Sequence, residues 1–374
     1  MIRIRLLSLA CFLVVIVSVT ASTLAQPSDQ REGDDAVKIG LLIPDRETLA
    51  ARHGAELAIR EANERGDSRT YQLVVRSTEG PWGAGSKESV SMVFDDRVVA
   101  IMGSLDGRNA HLAEQVATKT RIAFLSSWAT DMTLSQAFVP WYFRCIPDDR
   151  QQATSLVREI YQKRKLSKLA VIASETYDAR YAAATFVKVA RSQELAAPKV
   201  FHYGSEEGRL SKILTSLEED GAEAIVLFGG PAFASEIIPG LKQGGMNQMI
   251  FGTLAVTDGG KTGDPDWSYL EGSVLVSSNH WFTDRGMAFQ KEFQHTYGYQ
   301  PGSAAAYAYD GINVIIGVIR RAGVDRDRII EAFTEVKHPY GITGDIQFDE
   351  NGNRSGSAGL MTIREGNPCR LSEE

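Results

Sequence analysis

The sequence contains few cysteines, three in 374 residues, and one of them, Cys11, lies in an apolar N-terminal run. Cys11 stands too early, with too little apolar sequence before it, to be a lipoprotein attachment site. The other two, Cys145 and Cys369, are far apart in sequence. In an oxidising compartment they either form one disulfide or stay two separate thiols, and the sequence leaves both alternatives open.

Motifs of enzymes and metalloproteins are also absent. The first predicted strand, residues 37–43, runs into Pro44 without the G-x-G-x-x-G turn of a dinucleotide-binding fold, and no P-loop occurs. The six histidines show no metal-ligand spacing with one another or with a cysteine. Ser277 and Ser278 lack the context of a nucleophile elbow. We therefore expect no catalytic residue, no metal site and no cofactor.

The chain has no basic block and only one long apolar run. Its 40 Lys and Arg residues stand against 47 Asp and Glu residues, which gives a formal net charge of −7. This acidic balance argues against nucleic acid as a partner. Outside residues 6–19, no stretch is apolar enough to span a bilayer.

The N-terminus has the pattern of an export signal. Arg3 and Arg5 precede the apolar run, and small residues up to Ala25 provide a signal-peptidase site. We predict a signal peptide over residues 1–25 and a periplasmic mature protein; the alternative is an uncleaved anchor. Residues 26–36 are polar and predict a disordered lead-in.

The remaining chain alternates short apolar runs with amphipathic helical stretches. Continuous apolar runs are typical of parallel strands that are covered on both faces. The pattern restarts near residue 169, and a mature chain of about 350 residues suggests two domains. Predicted strands cover residues 37–43, 73–75, 98–102, 122–125, 169–173, 200–203, 224–228 and 249–252, and predicted helices include 49–65, 180–193, 210–219 and 233–243.

Several motifs follow one another in a recognisable order. Residues 304–311 are a small-residue helical segment, and residues 341–352 predict a hairpin that alternates Ile346 and Phe348 before an Asn-Gly turn. Residues 143–149 fit the pattern F-R-x-x-P-x-D, and residues 272–276 contain a Gly-x-Val-Leu-Val run. This order resembles the branched-chain amino-acid-binding proteins, which are the type I periplasmic solute-binding proteins of ABC importers.

The resemblance implies an α/β fold with two doubly wound Rossmann-like lobes joined by three crossover segments. The crossovers would lie near residues 143–149, after residue 276 and at residues 339–344. Lobe 1 would then comprise residues 37–146 and 280–338, and lobe 2 residues 147–279 and 339–374. The resemblance covers about residues 37–363 and rests on several loose motifs rather than one stringent signature.

Ligand contacts are expected in loops at the carboxyl ends of the strands. In lobe 1 the resemblance assigns them to two loops that each precede a helix, whose free N–H groups suit an anionic ligand group. Ser127 and Thr130 have the alternative role of capping the next helix, and Arg108 that of a solvated surface charge. The predicted lobe 1 contacts are Asp106, Gly107, Arg108, Ser126, Ser127, Trp128 and Thr130.

In lobe 2 the resemblance assigns Tyr177 to the segment that closes over the ligand, and it adds Gly230, Pro231, Phe233 and Thr253. The chain also departs from the amino-acid binders. Thr253 and Leu254 stand where a Glu often takes the ammonium group, Pro231 replaces an aromatic, and Gly107 replaces a serine. Nothing in the sequence places Asp106 or Asp258 in the cleft as a substitute. We therefore expect weak binding of leucine, isoleucine and valine.

The resemblance implies a solute-binding protein of an ABC importer. It would capture a small polar or carboxylated molecule between closing lobes, do no chemistry on it, act as a monomer and deliver it to a membrane permease. A ligand-sensing periplasmic protein that signals through a membrane receptor is the alternative. The identity of the ligand does not follow from the sequence.

Overall fold

The computed structural model describes residues 36–66, 68–136, 139–204, 209–258, 267–338 and 340–371, which belong to one compact unit. The predicted signal peptide and almost all of the predicted lead-in lie outside these ranges, as do Pro339 and residues 372–374. Across the described ranges, every helix is too short or too polar to cross a membrane.

The first sheet has five parallel strands in the order β2-β1-β3-β4-β5. All residues of β3, β4 and β5 are buried, as expected for strands covered on both faces. The strands are β1 (Val37–Ile43), β2 (Tyr71–Ser77), β3 (Ala100–Gly103), β4 (Ala123–Ser126) and β5 (Tyr142–Arg144).

The second sheet has seven strands in the order β14-β13-β10-β9-β8-β6-β7. Its first five strands in chain order are parallel, and the last two are antiparallel additions at one edge. The remaining strands of the chain are β6 (Leu169–Ser174), β7 (Lys199–Tyr203), β8 (Ala224–Phe228), β9 (Met249–Gly252), β10 (Val274–Ser277), the separate pair β11 (Lys337–His338) and β12 (Ile346–Gln347), β13 (Gly359–Arg364) and β14 (Asn367–Arg370).

Helices connect the strands and cover both sheets. Short helical turns of other types occupy Arg158–Lys163, Leu254–Thr257 and Ser268–Leu270. The α-helices are α1 (Leu49–Glu64), α2 (Ala84–Phe94), α3 (Gly107–Thr120), α4 (Thr133–Gln136), α5 (Asp149–Val157), α6 (Tyr177–Ser192), α7 (Arg209–Asp220), α8 (Pro231–Gln243), α9 (Asp284–Tyr297), α10 (Ser303–Ala322) and α11 (Arg326–Thr334).

The predicted two-lobed α/β fold is confirmed. Strands β1, β8 and β9 have the predicted bounds, but helices α6 and α8 begin earlier than predicted. The reason is local: the side chain of Thr176 accepts the Ala179 N–H, which starts α6 at Tyr177, and Pro231 occupies the first position of α8.

The predicted hairpin near residue 351 differs in its pairing. The strand at Ile346 pairs with β11, and the turn is closed by an isolated bridge between Phe348 and Arg354 and by backbone hydrogen bonds from Asp349 to Asn353 and from Ser355 to Gln347. Gly352 adopts a φ of 75°, and a Cβ there would lie 2.1 Å from the Tyr142 oxygen. Glycine is therefore required at this position.

The segments around the predicted crossovers are bonded to one another. Asp310 of α10 accepts hydrogen bonds from the backbone of Ile342 and Thr343, and Arg354 donates to the Cys145 oxygen at 2.9 Å. Cys145 is a buried free thiol and Cys369 a partly exposed one.

The lobe boundaries stay a prediction. Ile346 is buried in the same core as Phe143 and Phe333, and the Phe348 ring lies 5.3 Å from that of Phe143. This packing favours a third crossover after Phe348, a few residues later than the sequence suggested.

Candidate functional site

A cavity of about 260 Å³ lies between the two sheets, at the carboxyl ends of their parallel strands. Loops after β3 and β4 line one side, and loops after β6, β8 and β9 line the other. The lining residues are Asp106, Trp128, Thr130, Ile146, Asp149, Gln152, Thr176, Tyr177, Asp178, Ala179, Ala182, Phe228, Gly229, Gly230, Thr253, Leu254, Ala255 and Asp258.

The structure brings half of the sequence-predicted site residues together around this cavity, although their contact with a ligand stays a prediction. Six of them belong to its lining: Asp106, Trp128, Thr130, Tyr177, Gly230 and Thr253. The other six do not: Gly107, Arg108, Ser126, Ser127, Pro231 and Phe233.

Ser126 and Ser127 stabilise the loop that carries Trp128. Both are fully buried. The Ser126 hydroxyl oxygen accepts the Ala129 N–H at 3.1 Å, and the Ser127 hydroxyl donates to the Gly103 oxygen at 3.3 Å. Because these hydroxyls bond the backbone, they hold the loop rather than face the cavity.

Arg108, Pro231 and Phe233 lie beside the cavity. The guanidinium of Arg108 is 5.1 Å from the centre of the Tyr177 ring, a cation–π contact. Pro231 is the first residue of α8, and the ring of Phe233 packs 6.1 Å from that of Tyr203. Phe233 therefore belongs to the packing of the second sheet.

A hydrogen-bonded latch joins the two sides of the cleft. The Tyr177 hydroxyl donates to Asp131 Oδ2 at 2.9 Å, and His111 lies 3.3 Å from the same oxygen. Burial opposes ionisation of Asp131, but hydrogen bonds from His111, Thr133 and Tyr177 outweigh it and lower its pKa to about 2. Asp131, and then Glu114, raise the pKa of His111 to about 9.

A second contact crosses the cleft at the first residue of α3. The Gly107 N–H donates to Asp178 Oδ1 at 2.9 Å. A Cβ on Gly107 would lie 2.9 Å from the Asp131 Cβ and 3.1 Å from Tyr177. Glycine at this position therefore lets the two sides approach closely.

Four carboxylates line the cavity: Asp106, Asp149, Asp178 and Asp258. Burial raises the pKa of Asp149 to about 7, against a hydrogen bond from Thr130 that lowers it. Burial likewise raises the pKa of Asp178 to about 6 and that of Asp258 to about 7. Among the described lining residues there is no lysine, arginine or histidine.

Asp149, Asp178 and Asp258 were not among the predicted site residues. Asp178 directly follows the predicted Tyr177, and Asp149 ends the F-R-x-x-P-x-D motif, so both stood next to a recognised signal. The sequence does not place Asp258 in the cleft. In the structure, the helical turn Leu254–Thr257 directly before it brings Asp258 to the cavity.

Two α/β lobes with a cavity between their strand ends, lined by acidic, aromatic and aliphatic side chains, define a two-lobed solute-binding protein. The chain belongs to the periplasmic binding protein family, which matches residues 36–367.

Individual relatives agree with this assignment. Leu/Ile/Val-binding protein homolog 1 of Brucella abortus (strain 2308) is 23% identical over 313 residues, 80% of this chain and 81% of the relative. A leucine binding protein of Thermotoga maritima has a similar structure, with a TM-score of 0.76 at 18% identity over 90% of this chain and 98% of that one.

A solute binding protein of R. palustris, solved in complex with benzoate, has a TM-score of 0.76 at 16% identity and covers 90% of this chain and 95% of that one. At these identities the structural likenesses show the fold. The proteins of this family and the solved neighbours are solute-binding proteins rather than enzymes.

Proposed function

We propose that the protein is the exported solute-binding component of an ABC importer, which binds a small polar molecule between its lobes. The observation that carries this proposal is the cavity at the strand ends, across which Tyr177 bonds Asp131 and Asp178 bonds the Gly107 N–H. Hydrogen bonds between the sides of a cleft stabilise its closed form, and a membrane permease recognises such a form. The protein acts as a monomer and without catalysis.

Mass spectrometry of the small molecules that are released from the denatured purified protein tests the binding function. We expect one stoichiometric compound, and its addition to the ligand-free protein should reduce the radius of gyration in X-ray scattering. It should also raise the melting temperature, because a ligand that binds only the folded state stabilises it. A protein that neither compacts nor gains stability with any released compound would contradict the proposal.

Export is tested separately. We propose that signal peptidase cleaves after Ala25, so that the mature protein starts at Gln26 in the periplasm. N-terminal sequencing of the periplasmic fraction should return Gln26 as the first residue. A chain that starts at Met1 and sediments with membranes would support the alternative of an uncleaved anchor.

A further inference from the structure

The cleft differs from a site for a carboxylated ligand in the charges that it presents. Four carboxylates line it, and the described part of the lining contains no cationic side chain. Two cations lie nearby but outside the lining: Arg108 lies over the Tyr177 ring, and the fully buried Arg144 donates to the Asp131 backbone oxygen, while its Nε and Nη1 have no partner among the described residues. A ligand carboxylate would therefore lie among acidic side chains with no cation in the lining to pair with it, which is unfavourable.

Three backbone donors that suit a ligand carboxylate are already bonded to the protein's own acceptors. At the start of α3, the Gly107 N–H donates to Asp178 and the Asn109 N–H donates to Asp106 at 2.7 Å. After β9, the Leu254 N–H donates to Gln152 Oε1 at 3.1 Å. Asp178 in particular places a protein carboxylate at a helix N-terminus, where an anionic ligand group would otherwise bind.

The side-chain donors of the lobe 1 loops are also occupied. Ser126 and Ser127 bond backbone groups, and Thr130 lowers the pKa of the neighbouring Asp149 carboxyl. At the start of α8, Pro231 has no N–H to offer. These contacts leave fewer donors for a ligand carboxylate at this edge of the sheets.

One carboxylate is left without a partner. Asp258 lines the cavity, and its carboxyl makes no hydrogen bond or ion pair with any residue that the structure describes; burial is the whole cause of its raised pKa. The lining also includes the aromatic side chains of Trp128, Tyr177 and Phe228. An unpaired carboxylate beside aromatic rings is the environment that an organic ammonium group prefers.

A metal ion fits this arrangement less well than an organic cation. Nowhere in the described ranges do three His, Cys, Asp or Glu side chains converge closely enough to hold a metal. The four lining carboxylates are therefore spread around the cavity, so they suit a cation that is itself extended.

We propose that the cleft binds a small organic amine that carries no carboxylate, with its ammonium group on Asp258 and its apolar part against Trp128 and Phe228. This proposal rests on the proposed solute-binding function and specifies its ligand class. The sequence led us to expect a small polar or carboxylated ligand, and this proposal restricts the expected class to a polar cation.

Matched compounds test the ligand class directly. Calorimetry on the ligand-free mature protein would compare leucine with 3-methylbutylamine and 4-methylpentanoate, and phenylalanine with 2-phenylethylamine and 3-phenylpropanoate. We expect at least one amine to bind tenfold or more tightly than both of its counterparts. Tighter binding of an amino acid or acid would overturn the amine proposal while supporting solute binding. No binding by any class, with no compound released on denaturation, would contradict the proposed function itself.

Two substitutions test the proposed roles of Asp258 and Asp178 in ligand binding. Asp258→Asn should weaken amine binding at least tenfold. Asp220→Asn removes an exposed carboxylate that is paired with Lys199 and is not part of the cavity lining, so it should change amine binding less than twofold. Asp178→Ala frees the Gly107 N–H, so the ratio of amino-acid to amine affinity should rise at least fivefold. If neither Asp258→Asn nor Asp178→Ala alters the preference between amine and amino acid, the proposal is wrong.

Discussion

At the scale of single residues, the latch Tyr177–Asp131–His111 connects the lobes through one carboxylate that accepts from both sides of the cleft. Replacement of Tyr177 by Phe removes the hydroxyl and leaves Asp131 one donor short. We expect Tyr177→Phe to lower the free energy of unfolding by about 1 kcal/mol. Chemical denaturation measures this, and Tyr203→Phe is the matched control, since the Tyr203 hydroxyl bonds the exposed Glu236 instead. Equal effects of both substitutions would contradict a special role of the latch.

The buried lining carboxylates give the ligand-free protein a distinct pH dependence. Burial raises the pKa of Asp149 and of Asp258 to about 7, well above the ordinary value of an aspartate near 3.8, so the folded state binds more protons between these pH values and loses stability as pH rises. The pKa of Asp149 also responds to its neighbours: Thr130 and Arg144 lower it, whereas the charges of Asp178 and Asp148 raise it.

At acid pH, the latch makes stability depend on pH in the direction opposite to that of the lining carboxylates. Asp131 has a lowered pKa, so it contributes stability above pH 3.8 that is lost as pH falls toward 2. His111 has a raised pKa, so it contributes stability below pH 6.5 that is lost as pH rises through 9. We therefore expect the melting temperature to be highest near about pH 4 and to fall as pH rises from there toward 8. Calorimetric scans measure it, and Asp258→Asn should flatten the fall; an unchanged slope would contradict this assignment.

At the scale of elements, the sequence predicted strands better than helix starts. Strand β8 is a continuous apolar run between polar loops, and its limits follow from composition alone. Helix α6 begins at Tyr177 because Thr176 caps it, three residues before the start at Arg180 that the sequence predicted. Asp258 was missed as a lining residue because its position depends on how the loop after β9 packs between lobes, which no local pattern encodes.

The packing of α1 against α10 provides an element-scale test. A Cβ on Gly54 of α1 would lie 2.2 Å from the Ala305 oxygen of α10, whereas a Cβ on Gly317 of α10 meets no neighbouring atom within 4 Å. We expect Gly54→Ala to destabilise the fold by about 1–3 kcal/mol, because the helices must move apart. Gly317→Ala should instead stabilise it by about 0.5–1 kcal/mol through helix propensity. Thermal unfolding of the two variants measures both, and a shift of the same sign would refute the packing argument.

At the scale of the whole molecule, function depends on motion about the crossovers. Arg354 donates to the Cys145 oxygen and to Thr343, and Thr343 donates to the buried Asp310, so two chain segments near the crossovers are bonded to each other. Gln151 adds hydrogen bonds to the oxygens of Arg354 and Gly356, each at 2.7 Å. Such a network confines bending to few backbone positions, which favours a hinge that opens and closes along one path.

We expect closure to depend on Gly107, where the two sides of the cleft are in direct contact. Gly107→Ala adds a methyl group 2.9 Å from the Asp131 Cβ and 3.1 Å from Asp178 Oδ1, and neither atom is the end of a long flexible side chain. We expect the variant to fold normally, because α3 accepts alanine, but to stay more open when ligand is bound. X-ray scattering should show a smaller ligand-induced decrease in the radius of gyration, and affinity should fall by about 1–3 kcal/mol. Gly230→Ala is the control within the same cleft, since its Cβ would meet only the Ala255 oxygen, at 4.0 Å. If Gly107→Ala closes as fully as Gly230→Ala, the approach of the lobes at α3 does not limit closure, and the hinge network around Arg354 must set the closed angle instead.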